Sequence, residues 1–136
     1  MTTLEQMLIR HEVLKLKPYR CTEGRLTIGV GHNLDDNGIS QEIAMVILRH
    51  DISTATADLL RAYPWIKNLS ASRQDALINM VFNMGLPRFS TFKKMLEALE
   101  AGDYVRAHDE MLDSKWAAQV GDRALELAMI IKQGEQ

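Results

Sequence analysis

Met45, Leu48, Ile52, Ala55 and Leu59 follow one another at alternating three- and four-residue intervals, and no proline or glycine interrupts the chain from Ser40 to Ala62. Apolar residues so spaced share one face of a helix. Ser40 is a good N-cap at one end, and Pro64 stops the helix at the other. The spacing therefore predicts one long helix from about 40 to 62. In a chain of 136 residues such a helix can join two lobes, a short one before it and a longer one after it. The longer part predicts further helices at about 72–84, 89–101, 103–114 and 122–132, punctuated by Pro87, Gly102 and Gly121.

The part before the long helix reads differently. Thr2 or Thr3 can cap a first helix, with Glu5 or Gln6 completing a capping box. Leu4, Met7, Leu8 and His11 keep helical spacing, and Pro18 is expected to end that run. Thr22-Glu23-Gly24 is a turn. Leu26, Ile28 and Val30 then alternate with Thr27, Gly29 and Gly31, the first set expected to face the core and the second a ligand. Asp35-Asp36-Asn37-Gly38 has the composition of a loop. The fold class is α+β and mostly helical, a short β-hairpin sheet in a small N-terminal lobe joined by the long helix to a larger helical lobe. We expect one domain, with the N-lobe at about 13–40, the linking helix at 40–62, and the C-lobe at 63–136 together with the N-terminal helix 3–12.

Composition excludes several classes. A formal charge of −2 provides no global field for nucleic acid or a membrane. Charge is uneven, however: Arg10, Lys15, Lys17, Arg20 and Arg25 outnumber Glu5, Glu12 and Glu23 in residues 1–30, while residues 100–136 hold eight acids and four bases. One cysteine rules out an internal disulfide. The N-terminus lacks the pattern of a signal peptide, and no apolar run approaches the length of a membrane span. A start in the cytoplasm is expected. No cofactor and no metal are expected either, since His11, His50 and His108 show no ligand spacing.

The segment His11–His32 concentrates the chemistry. Glu12 falls at the C-terminal end of the first helix, the negative end of its dipole, which favours the neutral, proton-donating form of a carboxyl group. Cys21 and Thr27 lie on the two arms of the hairpin, so an acid, a thiol and a hydroxyl are carried close together on different supports. Taken singly, such a carboxylate is most often only solvated, and a strand threonine is most often only a good β-former. His32 invites a Cys-His dyad, which needs hydrogen-bond reach between His32 and Cys21. Trp116, Met80 and Phe82 read as core.

The block E-x8-C-x5-T, Glu12 to Thr27, followed by Gly29, Gly31 and His32, resembles the phage-type lysozymes, the endolysins of glycoside hydrolase family 24. Residues 76–85 (ALINMVFNMG), Ser114-Lys115-Trp116 and Arg123-Ala124 resemble later landmarks of that family, so the likeness covers nearly the whole chain. It implies a lysozyme-like fold and a monomer that acts on peptidoglycan, with no nucleic-acid partner and no stable membrane association. It implies hydrolysis between N-acetylmuramic acid and N-acetylglucosamine for host lysis, with a holin giving passage from the host cytoplasm to the wall. Glu12, Cys21 and Thr27 become the catalytic residues, with Cys21 where most relatives carry aspartate. Gly31, Asn79, Asn83 and Arg123 become substrate-binding candidates, Arg123 also standing where the family contacts the catalytic glutamate. His32 and Asp51 become a structural pair. A lytic transglycosylase, a wall-binding domain with weak catalysis, and a cysteine amidase or peptidase are the alternatives.

Overall fold

Thr2 starts helix α1 (Thr3–Glu12) through a complete capping box: its hydroxyl accepts the Glu5 N–H, and the Glu5 carboxylate accepts the Thr2 N–H. The helix stops at Glu12, because Val13 turns out of it with φ of 66° and leads straight into β1 (Leu14–Arg20). Pro18 therefore lies inside a strand, which corrects its expected role as a helix stop. It sits where the pairing of β1 with β2 (Leu26–Val30) is irregular, between Lys15 and Tyr19. A residue with no N–H to give a ladder is tolerated at such a place. β2 pairs in turn with β3 (His32–Asn33), giving an antiparallel sheet in the order β1-β2-β3.

Asn33 caps a single helical turn, α2 (Leu34–Asn37), by accepting the Asp36 N–H at 3.0 Å. The loop expected from the composition of this segment is thus a helical turn; its cap and two acids in the first turn suffice to wind it. Those acids face the hairpin. Asp35 Oδ2 accepts the Leu26 N–H at 2.6 Å and the Arg20 guanidinium at 3.2 Å, and Asp36 pairs with Arg25 at 3.4 Å. Helix α3 (Gln41–Ala62) comes next, with the Ser40 hydroxyl accepting the Ile43 N–H as expected.

The structure, a computed structural model, describes residues 1–135. They form two compact units whose boundary falls within α3, Met1–Ile47 and the residues from Leu48 on. The second unit comprises the rest of α3, a 3₁₀ turn (Pro64–Asn68), α4 (Ala71–Met84), α5 (Leu86–Phe89), α6 (Lys93–Glu100), α7 (Tyr104–Leu112), α8 (Lys115–Val120) and α9 (Asp122–Gln133). The helices expected at 89–101 and 103–114 are shorter than their patterns. α5 and α8 are too short for periodicity to register, and the sequence does not announce them.

Trp116, Met80, Phe89, Leu77 and Leu99 are fully enclosed in the core of this unit. The stripe on α3 is buried only at Ala55 and Leu59, whereas Met45, Leu48 and Ile52 keep 37%, 37% and 42% of their surface. Phe82, expected in the core, is 44% exposed; it lies on the outer side of α4, while Ala76, Leu77, Met80 and Val81 take the inner side. Arg73 near the start of α4 stacks its guanidinium 3.4 Å from the Tyr104 ring centre and donates to the Ile131 carbonyl at 2.7 Å. Ser70 donates to the Gly134 carbonyl at 3.0 Å, so the start of α4 and the end of α9 are tied by polar contacts. Among the described residues no helix is long and apolar enough to cross a membrane.

Candidate active site

Glu12 is the last residue of α1 and is exposed. The chain returns to it at Gly31, between β2 and β3. The place a β-carbon would take at residue 31 lies 2.9 Å from Glu12 Oε2 and 3.1 Å from its Cδ and Cγ. Gly31 has φ of 69°, a conformation that L side chains rarely adopt. Residue 31 thus passes directly against the carboxyl group.

Cys21 follows β1 and opens the turn. Its N–H donates to the Arg25 carbonyl at 3.0 Å, and its carbonyl accepts the Gly24 N–H at 2.8 Å. The half-buried thiol is held below its ordinary pKa by hydrogen bonds from the backbone N–H of Glu23 first and of Arg25 next; burial opposes them, the Thr27 hydroxyl adds to them, and the Glu23 charge opposes them weakly. Each donor favours the thiolate over the thiol. Arg20 is not among the groups that shift it; its guanidinium turns to Asp35 and to the Gly24 carbonyl.

Thr27 is only 4% exposed, and its hydroxyl donates to the Arg25 carbonyl at 2.8 Å. The expected facing of β2 is thereby corrected: Thr27 is its buried residue, while Val30, assigned to the core, is 37% exposed. A buried hydroxyl is tolerated because the turn's own carbonyl satisfies it. The same hydroxyl also helps to hold the Cys21 thiol below its ordinary pKa. Cys21 and Thr27 therefore stand together at the hairpin, and Glu12 is packed against Gly31 in the same unit.

His32 directs Nε2 to the Gly38 carbonyl at 2.6 Å, a contact the sequence does not suggest. Asp51 belongs to the second unit, as do the remaining candidates. Arg123 donates through Nε and Nη2 to Asn79 Oδ1 at 2.9 and 2.7 Å. With Leu48, Ile52, Asp75, Ile78 and Phe82 these two line a concavity of about 330 Å³. Asn83 uses its oxygen to accept the buried Trp116 indole N–H at 2.8 Å. A larger concavity of about 470 Å³, lined by Arg88, Lys93, Lys94 and Lys115 among others, contains none of the predicted site residues. Sequence reasoning misses two participants. Asp35 braces the hairpin from α2, a pairing with no local signature, and Phe82 lines the smaller concavity although its apolar setting suggests core.

Comparison with known proteins completes the picture. The Phage lysozyme family matches residues 9–130 of this chain. An endolysin of Acyrthosiphon pisum secondary endosymbiont phage 1 is 39% identical over 90% of the chain and 84% of its own length. The SAR-endolysin of Escherichia phage Mu is 32% identical over 91% of the chain and 76% of its own length. Probable T4-type lysozyme 1 of Dictyostelium discoideum is 29% identical over 98% and 95%. With the match extending from α1 into α9, the chain belongs to the phage lysozyme family of glycoside hydrolases.

Proposed function

We propose that this lysozyme hydrolyses the β-1,4 bond between N-acetylmuramic acid and N-acetylglucosamine in peptidoglycan, with Glu12 as proton donor and the Cys21 thiolate as its negative partner. The observation that carries the reading is the thiol at the head of the hairpin, held below its ordinary pKa by two backbone N–H groups and Thr27, which favour its negative form. A carboxylate in this position would need no such help. In the reaction Glu12 protonates the glycosidic oxygen as the C1–O bond breaks, leaving an oxocarbenium-like sugar. Water adds to C1, and the thiolate takes its proton, so that Glu12 ends ionised and Cys21 neutral before the two exchange protons with solvent. Thr27 directs the thiolate and the water. Asn79 and Arg123 are proposed to meet the sugar chain. Enzyme made in the host cytoplasm reaches the wall when a holin opens the membrane.

Mass spectrometry of digested peptidoglycan tests the reading on wild type, Glu12→Gln, Cys21→Ala and Cys21→Asp. Reducing N-acetylmuramic ends are expected, with Glu12→Gln slower by roughly 10²–10⁴-fold. Cys21→Ala should lose most activity and Cys21→Asp keep it. Because the reaction needs Glu12 protonated and Cys21 as the thiolate, the wild-type rate should pass through a maximum in pH, and the limb that reports Cys21 should lie below the range of an ordinary thiol, about 8.5, since its pKa is lowered. In Cys21→Asp that limb moves into the acid range. Anhydro-sugar ends, or full activity in Cys21→Ala, would overturn the mechanism.

A further inference from the structure

We infer that Gly31 is a positioning residue for Glu12: the missing side chain at residue 31 is the space in which the Glu12 carboxyl group is held. The inference rests on the proposed role of Glu12 and goes beyond it, because Gly31 was expected to touch substrate.

Three observations support it. Among the described residues of the first unit no hydrogen bond or ion pair fixes the Glu12 carboxylate, so shape alone orients it there. That shape is supplied by residue 31, where a β-carbon would fall 2.9 Å from Oε2 and 3.1 Å from both Cδ and Cγ. The backbone at residue 31 is in turn fixed by the tight return from β2 to β3, where Ile28 pairs with His32 and Gly31 takes φ of 69°. A methyl group there meets the far end of a flexible side chain. The fold can therefore yield by rotating Glu12 while the backbone stays in place, and the proton moves away from the glycosidic oxygen.

The strand that leads into this turn contains a control. Gly29 has φ of 71°, nearly that of Gly31, yet a β-carbon there would find nothing within 4 Å. Alanine at either position suffers the same unfavourable φ, but only alanine at 31 touches the acid.

Steady-state kinetics on a soluble wall fragment, with thermal unfolding in parallel, should separate the two. Gly29→Ala and Gly31→Ala are expected to lose similar stability. Gly29→Ala should keep kcat within about threefold, whereas Gly31→Ala should lose on the order of 100-fold in kcat with KM unchanged, the scale expected for misplacing a reacting group by about 1 Å. Placed on Glu12→Gln, Gly31→Ala should lower the residual rate no further, since the group it displaces is no longer an acid. Equal kcat in the two alanine variants, or a loss in Gly31→Ala confined to KM, would overturn the inference. Should Gly31→Ala not fold, NMR of the unmutated protein decides: a single Glu12 rotamer with a nuclear Overhauser contact from its Hγ to Gly31 Hα is expected, and rotamer averaging would overturn it. Wild-type kcat in Glu12→Gln would instead refute the role of Glu12 itself.

Discussion

The two compact units are held together by different physics. The unit from Leu48 on encloses nineteen apolar residues, all those buried in the described chain. In Met1–Ile47 the one buried residue is polar, Thr27. That small unit keeps its form through a three-stranded ladder, a capping box, and two carboxylates of α2 gripping the hairpin. Burial of apolar surface gives stability with little directional demand, whereas hydrogen bonds give direction with modest net stability. Glu12, Cys21 and Thr27 all lie in the unit built by direction. Geometry suited to chemistry is thus specified where little apolar surface is buried, and the second unit supplies most of the hydrophobic stabilisation.

The contrast can be broken at three strengths. The largest effect should come from Phe89→Ala. This ring is fully buried with its centre 5.9 Å from that of Tyr63, and its removal should lower stability by roughly 3–5 kcal/mol in denaturant unfolding. The kcat measured well below the new Tm should stay near wild type; a matching fall in kcat would show that the core shapes the chemistry directly.

Asp35→Ala comes next. It removes the acceptor of the Leu26 N–H and the partner of Arg20, so stability should fall by about 1–2 kcal/mol after allowance for solvent around this exposed carboxylate. Activity should fall by more than the unfolded fraction explains, because the turn carrying Cys21 loosens. Thiol reactivity against pH provides the check: the Cys21 midpoint should move up toward that of a free cysteine.

The smallest effect has the opposite sign. Val13 is β-branched at φ of 66°, so Val13→Gly should stabilise the protein by about 1 kcal/mol, strain relieved less the added freedom of glycine when unfolded. No gain in denaturant unfolding would mean that the strain is absorbed elsewhere.

Local chemistry makes much of this legible in advance. Thr2 with Glu5, Ser40 at the head of α3, and Thr22-Glu23-Gly24 as a turn each depend on neighbours within a few residues, and each stands where the residues put it. The pairing of Cys21 with Thr27 comes from the two arms of one hairpin. Readings that need the third dimension fare worse. Pro18 looks like a helix stop because nothing in its neighbours shows that Val13 ends the helix first. Phe82 looks like core because it is apolar among apolar residues, yet the helix turns it outward. The contact of Gly31 with Glu12 is hidden for the same reason, since it joins residues on different elements through empty space rather than through a bond.

The tie between α4 and α9 bears on synthesis. Arg73 and Ser70 find their acceptors at Ile131 and Gly134, and α9 also inserts Leu127, Ala128 and Ile131 into the core. A ribosome delivers Ile131 58 positions after Arg73, and Gly134 64 positions after Ser70. Until they emerge, Leu77 and Met80 lack part of their cover, and the larger unit waits with apolar surface open. The smaller unit depends on no such late arrival: its sheet, caps and acidic braces are complete by residue 47. The part that carries Glu12, Cys21 and Thr27 is therefore fully synthesised while the larger unit is still being made.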